Sequence, residues 1–240
     1  MEGGLYSLRS LGREWCLMLT KKVQGAGGAG GGGTGIEYIA SNTGTGNTLA
    51  LPSGTQVGDL VISLTGTISS NYTPSGWNTA FFHDGTFEIN CLHKVMEASD
   101  ISGGSVLLAG TANTTWTSMQ LHTFRPSSAI TSTYTGGIYS GGYIAGRSYD
   151  GTAITVNPTL SAKEPPHIIV GGNLFYNLGT PDMSGTFWEG KTNSTGANNY
   201  IRMQFAYEIQ EDYETSRTFT QSGTGNSAYD LMGGGYVSIE

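Results

Sequence analysis

The stretch Phe87-Glu88-Ile89-Asn90-Cys91-Leu92-His93-Lys94-Val95 decides the fold. Phe87, Ile89, Cys91, His93 and Val95 share one parity, while Glu88, Asn90 and Lys94 share the other. Successive side chains of a strand point to opposite faces, so this is a strand with one buried and one wet face, in an antiparallel sheet. Further along, Ile201, Met203, Phe205, Tyr207 and Ile209 stand opposite Arg202, Gln204 and Glu208 in the same way. Two such sheets packed face to face make a core.

The two stretches are 114 positions apart, and other segments repeat at similar offsets. Leu49 and Leu51 answer to Ile154 and Val156 at 105, and Leu60-Val61-Ile62 answers to Ile168-Ile169-Val170 at 108. Ser75-Gly76-Trp77 resembles Ser184-Gly185 followed by Phe187-Trp188, Val106 answers to Phe219, and Glu97 to Glu211. Trp116 and Phe124 fall near Tyr229 and Ile239, each on the strand that closes a half. Offsets that drift while strand order is kept are those of two related halves with loop insertions. The expectation is an all-β antiparallel sandwich, jelly-roll-like, of two similar halves at about 46–125 and 150–240.

Composition agrees. The chain has 240 residues, 38 of them glycine, and only 12% are charged. Average domains have about 25% charged residues and about 7% glycine. The polar remainder is Ser, Thr, Asn and Tyr, which disfavours helices, while Thr, Tyr, Val, Ile and Phe suit a pleated surface. A net charge of −7 argues against a nucleic-acid partner, whose footprint is a basic patch. No apolar run approaches the ~20 residues that span a bilayer, so membrane insertion is not expected. Two cysteines, Cys16 and Cys91, are too few for a disulfide framework.

Three regions separate along the chain. Residues 1–24 form a mildly basic, partly apolar arm, extended and expected to dock through Arg9, Arg13, Trp15, Leu17 and Leu19. Its apolar core, 15–19, is shorter than the roughly 7–15 residues of a secretion signal and has Glu14 beside it. Residues 25–35 are a glycine-rich linker that cannot pack a core. Residues 36–240 carry the sandwich. Between its halves, 125–150 reads as a Tyr/Gly/Ser-rich loop with Tyr134, Tyr139, Tyr143 and Tyr149, the composition of a recognition or subunit-contact surface.

Motifs that carry chemistry are weak. Gly25, Gly27 and Gly30 have dinucleotide-loop spacing, but more glycine follows where a helix must start, so no cofactor is expected. Cys91 and His93 share a strand face, yet a zinc site needs about four ligands and this face is apolar. An inert buried cysteine and a buried, hydrogen-bonded histidine are expected instead, with no metal. Asp84 and Glu88, and Glu211, Asp212 and Glu214, lie at hairpin ends, where solvated acids are the default, so no catalytic pair and no enzyme is expected. Trp77 and Trp116 are expected as core anchors; Trp188 would stack on a sugar ring if exposed.

The run Gly58-Asp59-Leu60-Val61-Ile62, then Pro74-Ser75-Gly76-Trp77, then Lys94-Val95 with Ala98-Ser99-Asp100, then a strand from Trp116 to Phe124-Arg125, resembles a recurrent β-sandwich domain. That domain occurs in structural and tail-associated proteins of tailed bacteriophages and in some bacterial surface proteins. The resemblance covers about 46–240 and implies a structural or adhesive role with no catalytic residues. It leads to the expectation of a virion structural protein, assembled in the host cytoplasm, most of all a tail fibre or tip component contacting a host surface glycan. The arm would bind other virion proteins, and the body would form a symmetric homo-oligomer. Capsid decoration or cement is the alternative, and a carbohydrate-binding module or glycan hydrolase the alternative of another class.

Overall fold

Short runs of β-forming residues set off by glycine turns give fifteen strands and one short helix among the described residues. The computed structural model describes residues 35–68, 72–83, 87–108, 117–139, 153–156, 166–176, 181–196, 201–210, 216–222 and 231–240. Residues 34–240 form one compact unit. The expected docking residues Arg9, Arg13, Trp15, Leu17 and Leu19 lie outside the described residues, as does the linker before Gly35.

In the first half, β1 (Ile36–Thr45), β3 (Leu60–Ile68), β4 (Asn78–His83), β5 (Phe87–Val95) and β7 (Ser118–Pro126) form an antiparallel sheet ordered β1-β7-β3-β5-β4. A separate pair joins β2 (Thr48–Ala50) to β6 (Ser105–Leu107). The second half has β8 (Thr133–Tyr139), β10 (His167–Tyr176), β12 (Gly190–Thr195), β13 (Ile201–Gln210) and β15 (Leu231–Ile239), in the equivalent order β8-β15-β10-β13-β12. Its second layer pairs β9 (Ala153–Val156) with β14 (Arg217–Ser222), and β11 (Asp182–Met183) adds to the other edge of β14. In each half the first strand pairs with the last and the second with the second-to-last. This nested closure is jelly-roll-like.

Register carries the duplication to single residues. Leu60 faces Val95 as Ile168 faces Ile209, and Leu49 faces Val106 as Ile154 faces Phe219. A slip of one residue would turn every side chain to the other face, so agreement at these offsets identifies equivalent positions. On the closing strands Leu60 pairs with Phe124 and Ile168 with Val237, so Phe124 corresponds to Val237 and not to Ile239.

The boundaries of the halves need correction. β1 opens the first half at Ile36, and β8 opens the second at Thr133. Thr133–Tyr139, expected within a loop, is an edge strand whose backbone pairs along β15. Gly136 and Gly137 break any alternation in the sequence, but a ladder needs only backbone donors and acceptors. The connection between halves shrinks to 127–132.

The two large sheets enclose one core, with Leu60, Ile62, Leu64, Phe81, Ile89 and Phe124 from the first half meeting Ile168, Val170, Leu174, Met203, Phe205 and Val237 from the second. Fully burying each such side chain contributes about 1.5–3 kcal/mol. The outer faces are covered as well. Val61, Leu92, Met119 and Leu121 lie under β2, β6 and Trp77, and Ile169, Ala206, Met232 and Tyr236 lie under β9, β11 and β14. The domain is therefore layered, and its central strands are buried on both faces.

Candidate functional site

The quoted motifs of the first half converge at the end of the sheet where β1 starts. Gly58, at φ 89°, makes the turn into β3, a conformation that favours glycine. Its N–H donates to the Met96 carbonyl at 2.9 Å, and the Met96 N–H donates to the Asp59 carbonyl at 2.8 Å. The Asp59 carboxylate, 2% exposed as a residue, accepts from Arg125 Nε and Nη2, both at 2.9 Å, and from the Gln56 N–H at 2.7 Å. Arg125 also donates to the Gly54 carbonyl at 2.8 Å. This bidentate pair raises the Arg125 pKa above its ordinary value. Lys94 pairs with Asp100 at 2.8 Å, and Asp100 accepts the Glu97 N–H at 2.8 Å, opening helix α1 (Ala98–Gly103). Trp77 packs beneath with Leu92 and Met96. The motif residues thus form a bracket joining β3, β7 and the end of β5.

The chain enters at this same end. The Ser127 N–H donates to the Gly35 carbonyl at 2.9 Å, pinning the last linker residue to the junction between halves. On the other side of the junction, Thr131 and Ser132 N–H groups donate to the Glu240 carbonyl at 2.5 and 3.1 Å. A cleft of about 200 Å³ opens there, lined largely by Pro126, Ala129, Ile130, Pro166 and Ile239.

A second polar group is sealed inside the sandwich. On β7, Ser118, Gln120 and His122 face inward, each 0% exposed. Gln120 Nε2 donates to Ser194 Oγ at 2.8 Å, and Ser118 and Ser194 hydroxyls bond at 2.8 Å. His122 Nε2 lies 3.1 Å from Gln120 Oε1 and Nδ1 lies 3.4 Å from the Tyr38 hydroxyl. The network is satisfied if Nε2 carries the proton and donates to Gln120, leaving Nδ1 to accept from Tyr38. Its ring stacks on Phe205 with centroids 3.9 Å apart. Burial pushes its pKa down to about 3, so it is neutral at pH 7. Tyr38 in turn stacks on Tyr207 at 4.8 Å. Burial, first, and Tyr38 raise the pKa of Tyr207. This ladder clamps the first sheet to β12 and β13.

Among the other expected site residues, Cys91 is buried, and its thiol pKa is raised by burial. His93 is buried too, but neither ring nitrogen has a hydrogen-bond partner among the described residues, which corrects the expectation of a hydrogen-bonded histidine. Among the described residues no three His, Cys, Asp or Glu side chains gather to hold a metal ion. Glu88 is buried at 5% exposure, not solvated at a hairpin end; Asp84, Glu211, Asp212 and Glu214 lie outside the described residues. Tyr134 and Tyr139 belong to β8, paired with Ser238 and Gly233, while Tyr143, Tyr149 and Trp116 lie outside the described residues. Trp188 is half-buried, donates its indole N–H to the Ser184 carbonyl at 2.8 Å and meets Phe219 edge-on at 5.0 Å. It anchors the second outer layer as Trp77 anchors the first. Sequence reasoning missed the Gln120–Ser194 clamp and the Glu208–Arg217 pair, whose partners approach closely across β13 and β14.

Compared with known proteins, the chain matches no family model, no curated protein and no solved structure.

Proposed function

We propose that this chain is a bacteriophage virion structural protein, a tail fibre or tip component that displays its sandwich toward a host surface. The observation that supports the reading most is the convergence of the phage-like motif residues on one structural bracket. Gly58, Asp59, Trp77, Lys94, Asp100 and Arg125 hold turns and strand ends together, so the resemblance lies in residues that build the fold. Two further features agree with display. The glycine linker enters at Gly35, pinned beside the bracket, while β3 and β10 both run from that end toward the opposite one. The layered body with few charged residues suits a repeated particle part, which works by contact area and polar uncharged groups.

In this reading residues 1–24 dock into another virion protein and 25–34 set the body free of the attachment point. A 10-residue glycine-rich tether spans an r.m.s. distance of about 16–19 Å. The test is particle incorporation of a chain lacking residues 1–35. Loss of incorporation with the body still folded supports an arm-docked virion part; unchanged incorporation refutes the docking role. A glycan array with the full chain separates the readings further. Binding supports host contact, whereas no binding with incorporation retained points to decoration of the capsid.

A further inference from the structure

Across the core, some positions of one inner face lie against their own equivalents on the other. Position 64 corresponds to 172 and position 66 to 174 by the shared register of β3 and β10. At the first pair the chain has leucine against glycine, and at the second glycine against leucine. A Cβ on Gly172 would lie 2.6 Å from Leu64 Cδ1, and one on Gly66 would lie 2.4 Å from Leu174 Cδ1 and from Met203 Sδ. Each leucine fills the space over the other half's glycine.

The flanks are just as one-sided. On one flank Phe81 of β4 covers Gly233, where an added Cβ would be 2.5 Å from its ring, and a Cβ on Gly172 would be 2.9 Å from the tip of the same ring. Gln120 is the register equivalent of Gly233. On the other flank Gln120 instead meets Ser194 through a hydrogen bond. Pairing the first half with a copy of itself would set Leu64 against Leu64, leave a void at Gly66, and drive Phe81 onto Gln120. Pairing the second half with itself would leave a void at Gly172 and bury Ser194 against Leu231, the equivalent of Ser118, without its partner.

We infer that the inner face of each half is a heterospecific interface: it fits the opposite half and rejects a copy of itself. The determinants are Leu64 with Gly172, Gly66 with Leu174, Phe81 with Gly233, and Gln120 with Ser194. Both an attractive fit and a penalty for the wrong partner are built in, as specificity requires. Where many copies are crowded together, like halves do not cross-pair, and contacts between copies are left to the outer surfaces. This inference stands apart from the virion reading.

The test uses the full chain with a protease site inserted after Ser128, cut while folded, then unfolded in urea and refolded by dilution. Native mass spectrometry is expected to show the 1:1 complex of unlike halves with like pairs rare. Like pairs as abundant as unlike ones would overturn the inference. The intact chain gives a second measure that does not depend on reassembly. Gly66→Ala should raise the unfolding constant by about 10- to 100-fold. In a Leu174→Ala background the same change should cost at least about fivefold less. Equal factors in the two backgrounds would show that the 66–174 pair carries no complementarity and would overturn the assignment.

Discussion

Two histidines are held neutral in the core, and this makes the fold acid-sensitive in a calculable way. Burial lowers His93 to about 4 and His122 to about 3, against an ordinary 6.5. The groups that adjoin them are neutral: Ile62 and Asn78 on the strands beside His93, and Tyr38, Gln120 and Phe205 around His122. The unfolded chain takes up protons below pH 6.5, while the folded chain does not until pH 3–4. Stability is therefore full above 6.5 and falls as pH drops toward the folded values. At pH 4.5 each histidine costs about 2.5 kcal/mol, and the pair about 5 kcal/mol, a large part of the usual 5–15 kcal/mol of a domain. Urea unfolding followed by tryptophan fluorescence at pH 7.5, 6.5, 5.5 and 4.5 reads this directly. His93 lacks a hydrogen-bond partner among the described residues, so His93→Leu removes a titrating group without orphaning another. The variant should lose about 2.5 kcal/mol less than the wild type between pH 7.5 and 4.5. Equal losses in both proteins would refute the reasoning, because carboxylate pairs such as Asp59–Arg125 are common to the two.

Other substitutions probe the brackets and the packing. Asp59→Asn should destabilise by about 2–3 kcal/mol in denaturant unfolding, since it weakens two charge-assisted bonds from Arg125 and leaves the buried site short of an acceptor. Gly172→Ala should cost about 1–3 kcal/mol through contact with Leu64 and Phe81, whereas Gly103→Ala, where an added Cβ meets nothing within 4 Å, should change stability by less than about 1 kcal/mol. Gln120→Leu should cost about 1–3 kcal/mol by orphaning His122 Nε2, with the added strain read as a lower thermal midpoint.

The sequence made β5 and β13 plain, because a two-residue period survives where one face carries polar groups. The offsets 108 and 114 even carried the register. β10 and β15 were less legible: nearly every residue in them is buried, since the outer layers cover the second face and remove the alternation. β7 would mislead a simple reading. Its apolar residues Met119 and Leu121 face the outer layer, and its polar ones Ser118, Gln120 and His122 face the core between the sheets. β8 was hidden by its glycines, and its pairing depends on a strand about 100 positions away. The bracket residues stood out as a motif, but the union of Asp59 with Arg125, 66 positions apart, is a product of the sheet and not of local sequence.

The central claim is a body carried on a phage particle by its N-terminal arm. Immunogold labelling of phage particles purified from a culture that produces the chain, with an antibody against the full chain, tests it most directly. The account predicts gold at the tail, lost from particles made with the chain lacking residues 1–35. Particles that carry no label, with the protein found only free in the lysate, would contradict it.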